Sequence, residues 1–259
     1  MIQPRQATVV EDYQAVLQLP RQEHLVIVGG QAVSIWADRY LRGESELHQY
    51  LPFTSKDLDV LGDASDLIEL ARATGFRKVA ARRKILIPSA GFLEMPRVGA
   101  EPVKVEVLKR IYGVTTEEAR STALMIARGG LRYRVLHPLI LLKAKVEAAV
   151  HLPQDLPGQE RQDARHLKMM VICVRCFLTE VVGQVEAGKL AARDCLNLLE
   201  ETLEIAAGRT GRMARKKYDI TWESAVPLAA LQAATNNKLQ NFVTKRWPRW
   251  ALVLREPVP

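Results

Sequence analysis

Asp57-Leu58-Asp59 is the stretch whose residue types most directly imply chemistry. Two carboxylates spaced two apart on an extended chain point to one side, while Leu58 and Val60 point to the other. Like charges crowded on one face repel. A hard divalent cation such as Mg²⁺ or Mn²⁺, which takes oxygen ligands and bridges to phosphate groups, relieves that repulsion. Upstream, the apolar run Leu25-Val26-Ile27-Val28 breaks on Gly29-Gly30 and enters a helical pattern from Ala32 to Trp36. A strand that turns on two glycines into a helix N-terminus gathers bare backbone N–H groups where a phosphate can sit. The acids therefore read as a metal site facing a phosphate cradle.

Both features need a sheet to hold them. Strand patterns run from His24 to Val28 and from Leu58 to Leu61, and Asp66 to Thr74 reads as a helix stopped by Gly75. Phe76 to Val79 and Ile85 to Ile87 read as strands, with Pro88 to Gly91 as a turn. Val103 to Leu108 alternates, so Val103, Val105 and Val107 share one face and Lys104 and Glu106 the other. On pattern alone Glu106 is a surface glutamate; beside Asp57 and Asp59 it becomes a candidate third carboxylate. Thr115 to Glu118 has the form of a helix cap, and Leu124 to Arg128 is expected to complete a short helix ended by Gly129-Gly130. Leu131 to Leu136 reads as a strand, Pro138 to Ala149 as a helix, and Gln159 to Leu178 as another. Residues 1–23 form an expected lead-in helix, with Val9, Tyr13, Val16 and Leu17 packing on the sheet and taking no part in chemistry. The expected fold class is α/β, with a mixed-sheet core over 1–150 and a helical domain with a basic tail over 151–259.

The order of apolar strand, Gly-Gly, helix and Asp-apolar-Asp carries a resemblance, strengthened by Ser55, by Val105-Glu106-Val107, and by His137-Pro138 through Lys145 followed by Arg161-Gln162-Asp163. It resembles the DNA polymerase beta-type nucleotidyltransferase superfamily and, within it, the AbiEii/AbiGii-type toxin-like branch. The resemblance implies transfer of a nucleoside monophosphate from an NTP to an acceptor hydroxyl, with release of pyrophosphate. It implies two Mg²⁺ (or Mn²⁺) ions on Asp57, Asp59 and Glu106, with Glu106 alternatively drawing the proton from the attacking hydroxyl. Phosphates would rest on Gly29 and Gly30, with Ser55 as a side-chain donor. Lys145 matches a helix lysine that contacts triphosphate, and Asp163 an acidic residue that steers Lys145 or the substrate. Lys143 is about 200° away around the same helix, so the two lysines cannot both face the site. An RNA or tRNA end and a protein side chain are both compatible acceptors. A toxin role would bring a cognate antitoxin as partner. The alternative is a catalytically retired protein of the same fold that binds nucleic acid.

Composition sets the remaining bounds. Hydrophobic residues at 48% and charged residues at 25% are an ordinary globular balance. No apolar run reaches the roughly 18 residues of a membrane span, and Met-Ile-Gln-Pro-Arg has no signal-peptide character, so a cytoplasmic protein with no membrane partner is expected. Three cysteines make no disulfide framework, and Cys173 and Cys176 read as helix-core residues despite their redox-like spacing. The net charge of +8 is concentrated toward the C-terminus, with ten Lys/Arg against three Asp/Glu from Gly208 onward. Such a tail, including Lys245-Arg246-Trp247-Pro248-Arg249-Trp250, suits either RNA or a solvated, snorkelling surface.

Overall fold

The structure, a computed structural model, describes residues 8–19, 24–80, 88–97, 100–156 and 159–256. The chain divides into two compact units, Met1–Arg39 with Tyr50–Ala144, and Tyr40–Gln49 with Lys145–Pro259. In the first, a 3-10 turn (Val10–Tyr13) and α1 (Gln14–Leu17) precede β1 (Val26–Val28) and α2 (Gly29–Tyr40). Then follow β2 (Leu58–Leu61), α3 (Ala64–Thr74), β3 (Arg77–Ala80), β4 (Ser89–Arg97) and β5 (Ala100–Leu108). The unit closes with α4 (Thr116–Thr122), β6 (Leu124–Arg128), β7 (Leu131–Val135) and the first half of α5 (Pro138–His151).

Among the described residues, seven strands form one mixed sheet in the order β3-β4-β5-β2-β1-β7-β6. The α/β class read from the sequence is the class observed. Alternation fixes the faces: Leu58, Val60, Leu93, Met95, Val103, Val105 and Val107 are buried, while Asp59, Phe92, Glu94, Lys104 and Glu106 are only partly covered. α3 is bounded by its own chemistry. Asp63 accepts from the backbone of Ser65 and Asp66 at 2.7 and 3.1 Å, Asp66 answers the Asp63 N–H at 2.7 Å, and Gly75 ends the helix at φ 71°.

Several expectations are corrected. Leu124 to Arg128 is the strand β6, not a helix; it pairs antiparallel with β7 across Gly129-Gly130, whose φ values of 55° and 78° make a primed hairpin turn. Pro88 to Gly91 is not a free turn either, since β4 begins at Ser89 and absorbs an irregularity between Ser89 and Gly91. A Cβ at Gly91 would press on Leu67 and on the Val79 carbonyl, so this glycine serves close packing. The described part of the lead-in region, residues 8–19, holds two short turns, with Val9 exposed; its remainder and the expected strand Ile85 to Ile87 lie outside the described residues.

The second unit is helical apart from the short pair β8 (Asp155–Leu156) and β9 (Gln159–Glu160), which occupies the place where the sequence pattern predicts the start of the Gln159 helix. Its helices are α6 (Asp163–Glu186), α7 (Ala192–Ala207), α8 (Arg209–Tyr218), α9 (Leu228–Ala233), α10 (Asn237–Asn241) and α11 (Trp247–Arg255). The excursion 40–49 is fastened to α6 by Arg175, which binds Glu44 at 2.8 Å and Glu46 at 2.7 Å. No helix among the described residues is long and apolar enough to cross a membrane.

Candidate functional site

The antiparallel register of β1 and β2 sets Val28 opposite Asp59, one residue before the chain turns from β1 into α2. Asp59 therefore leaves the sheet against that turn. A Cβ on Gly29 would collide with Asp59 Oδ2 and stand 2.8 Å from its Cγ, so the carboxylate lies directly over the bare Gly29 Cα. Gly29 also has φ 64°, a conformation L side chains rarely adopt. Gly29 and Gly30 form the first turn of the 12-residue α2, where backbone N–H groups have no partner within the helix.

On its other side β2 runs parallel to β5, with Asp59 opposite Glu106. Parallel neighbours in register project to the same face, so these two acids stand side by side and both are half-buried. Asp57 lies in the bend that leads into β2, and Ser55 just before it. Gly29, Gly30, Ser55, Asp57, Asp59 and Glu106 all belong to the first unit, where the strand register joins Asp59 to the Gly29 turn on one side and to Glu106 on the other.

A buried polar tie holds this region, and the sequence pattern does not disclose it. Thr8 forms an isolated backbone bridge with Ser55 (2.8 and 3.0 Å), and its hydroxyl donates to the Ser55 carbonyl at 2.8 Å. The same Thr8 Oγ1 lies 2.8 Å from Tyr13 Oη and accepts from Gln31 Nε2 at 3.0 Å. Thr8, Tyr13 and Gln31 are all fully buried. Burial pushes the Tyr13 phenol well up, the Thr8 bond offsets part of that, and the negative charges of Asp57 and Asp59 add to it. The lead-in segment is therefore not mere packing: it ties the Ser55 backbone to the first turn of α2. A tyrosine at a buried helical position is the only signal of this in the sequence.

Lys145 and Asp163 belong to the second unit. Lys145 Nζ donates to Asp163 Oδ1 at 2.8 Å, and Arg161 Nε donates to Asp163 Oδ2 at 2.6 Å. Burial alone would raise the Asp163 carboxyl; the Lys145 and Arg161 cations overcome it and hold the group down at about 2. His166, one turn further along α6, is driven to about 3, chiefly by burial and then by Lys145. Lys143 is committed elsewhere, 2.8 Å from Glu118 in the first unit.

Much of the basic tail is engaged in structure. Arg212 donates to the Ala207 carbonyl at 2.9 Å, and Arg215 caps the end of α11 through the carbonyls of Leu254, Arg255 and Glu256. Arg246 pairs with Glu200 and Arg255 with Glu223.

Neighbouring carboxylates are the donor type that a hard cation takes. Mg²⁺ is commonly held by one or two carboxylates, with water and substrate phosphates completing its shell. Adjacent Asp59 and Glu106, with Asp57 two residues upstream, offer that chemistry beside the glycine turn. Among the described residues, no group of three or more His, Cys, Asp or Glu is gathered into a ready-made metal cage.

No protein-family model matches this chain, and no curated protein matches it. Solved structures do, among them an antigenic nucleotidyltransferase-like protein from Paracoccidioides brasiliensis. The two are 16% identical, the match covers 64% of this chain and 78% of that one, and the TM-score is 0.42. At that distance the likeness assigns no residue and no activity here.

Proposed function

We propose that this protein is a divalent-metal-dependent nucleotidyltransferase that moves a nucleoside monophosphate from an NTP to an acceptor hydroxyl. The observation that carries the reading is the Asp59 carboxylate lying on Gly29 while standing beside Glu106. An acid seated on a strand–glycine–helix turn brings a cation-binding oxygen and a phosphate-binding helix start into one place.

Asp57, Asp59 and Glu106 would hold Mg²⁺ or Mn²⁺, which when bound supplies Lewis-acid polarisation of the phosphoryl oxygens. Gly29 and Gly30 offer backbone N–H donors to the NTP phosphates, with the Ser55 hydroxyl as a further donor. The acceptor oxygen forms a bond to the α-phosphorus, and the α–β bridging P–O bond breaks. Pyrophosphate leaves with that electron pair, and the proton of the attacking hydroxyl goes to Glu106 where that carboxylate serves as base instead of metal ligand. Within the second unit Asp163 acts as a positioning residue that fixes the ammonium of Lys145. An RNA or tRNA end, or a protein side chain, serves as acceptor. The AbiEii/AbiGii-type resemblance extends the proposal to a toxin silenced by a cognate antitoxin, which co-expression with a neighbouring small gene product would test.

The central test is labelled NTP with total RNA and with protein acceptors in Mg²⁺, comparing wild type with Asp59→Ala. Incorporation is expected in the wild type, with a loss of at least about 100-fold in the variant, the scale of removing a group that stabilises developing charge. Equal labelling by both proteins would reject the reading.

A further inference from the structure

The partly covered face that bears Asp59 and Glu106 also bears an aromatic ring. Phe92 on β4 is the cross-strand neighbour of Glu106 on β5, and Glu94 is the neighbour of Lys104. Leu93 and Met95, which alternate with Phe92 and Glu94, are buried; Phe92 is not. Lys104 Nζ sits 4.3 Å from the Phe92 ring centroid. Its cross-strand acid, Glu94, is engaged by Arg77, whose Nε donates to Glu94 Oε2 at 2.6 Å. Among the described residues Lys104 thus has a ring for a partner rather than a carboxylate. The tail differs, because Arg212, Arg215, Arg246 and Arg255 there are bound to carbonyls or glutamates.

A flat ring and a flexible ammonium, one residue across the sheet from a candidate catalytic carboxylate, match a nucleobase and its adjoining phosphate. Any base has a π-face to stack, and lysine binds phosphate as a point charge on a long stem. An unmodified peptide residue does not carry a π-face and a phosphate together. We propose that Phe92 and Lys104 form a subsite for an unpaired nucleobase and its adjoining phosphate: the base stacks on Phe92 as Lys104 swings from the ring to the phosphate. This rests on the nucleotidyl-transfer reading for its biological meaning, and two nucleotides could occupy it, the acceptor strand's end or the NTP.

The test measures binding without transfer. A short labelled single-stranded oligoribonucleotide is titrated in EDTA, and each NTP is titrated separately, against wild type, Phe92→Leu, Lys104→Gln and the tail variant Lys216→Gln/Lys217→Gln. Unchanged thermal melting confirms that the variants are folded. Phe92→Leu is expected to weaken its ligand about 5- to 150-fold. Lys104→Gln should reduce the log–log salt slope of oligonucleotide binding by about 0.7. Loss confined to the oligonucleotide identifies the acceptor strand, and loss confined to NTP identifies the donor. Wild-type affinity for both ligands in both variants would overturn the subsite, as would a wild type that binds neither or an oligonucleotide affinity lost entirely in the tail variant. If wild type transfers nothing yet Phe92→Leu still weakens the oligonucleotide, the catalytic reading fails and the subsite stands.

Discussion

Gly29 is constrained twice, by its positive φ and by the Asp59 carboxylate above it. Gly29→Ala should cost at least about 1–2 kcal/mol from the left-handed conformation alone. It should also displace Asp59, so transfer falls as far as in Asp59→Ala; denaturant melts and the labelling assay check both, and a fully active Gly29→Ala would contradict the geometry. Asp163 answers for a different cost, because it neutralises the buried Lys145. Asp163→Ala should destabilise by roughly 3–5 kcal/mol, and adding Lys145→Met should recover much of that by removing the stranded charge. Chemical denaturation of the single and double variants measures it. The Asp59 position and the glycine turn are legible in the sequence because two-residue alternation and turn chemistry are local, whereas Asp57 lies in the bend before β2, where alternation does not fix its direction. Thr8, Tyr13 and Gln31 are not legible, since Thr8 meets Ser55 across 47 positions of chain and no local pattern records that pairing.

At the scale of elements, the sequence misleads where pairing overrides local preference. Leu124-Met125-Ile126-Ala127-Arg128 contains good helix formers ahead of two glycines, which is what a terminating helix looks like. The same two glycines close a hairpin, and the β7 partner decides the outcome. Ser89 and Gly91 carry turn composition, yet sit in a strand because Leu67 packs where a side chain would go. Helices α3 and α4 are legible because their caps lie within four residues of sequence. The excursion 40–49 is held by long-range pairing, and that makes it testable. Arg175→Ala removes the partner of Glu44 and Glu46 and should cost about 1–3 kcal/mol. Limited proteolysis should then cut within 40–49 well before wild type is cut, and equal cleavage would show that other contacts hold the segment.

Across the whole molecule, acid should undo both units from a similar pH. Burial lowers His137 in the first unit to about 4, and burial with Lys145 lowers His166 in the second to about 3. An unfolded imidazole titrates near 6.5 and binds a proton there that the folded one refuses. Stability is therefore full above about pH 6.5 and declines as pH falls to about 4 for His137 and about 3 for His166, by up to roughly 1.4 kcal/mol per pH unit for each. Asp163, held down at about 2, adds a further loss below its ordinary range near pH 4. Melting temperature should fall as pH is lowered from 6.5, with a shallower slope in His166→Gln; a flat profile to pH 4 would refute two imidazoles held neutral by the fold. The cysteines open another route into the second unit. Cys173 and Cys176 on α6 and Cys195 on α7 are free thiols, with burial pushing the first well up and the other two to about 11. Alkylating reagents react with thiolate, so at neutral pH the buried Cys173 and Cys195 must wait for the helices to part, while the partly covered Cys176 serves as the internal reference. The chain thereby carries two built-in reporters of transient breathing in one of its halves, readable by mass spectrometry with no engineered probe.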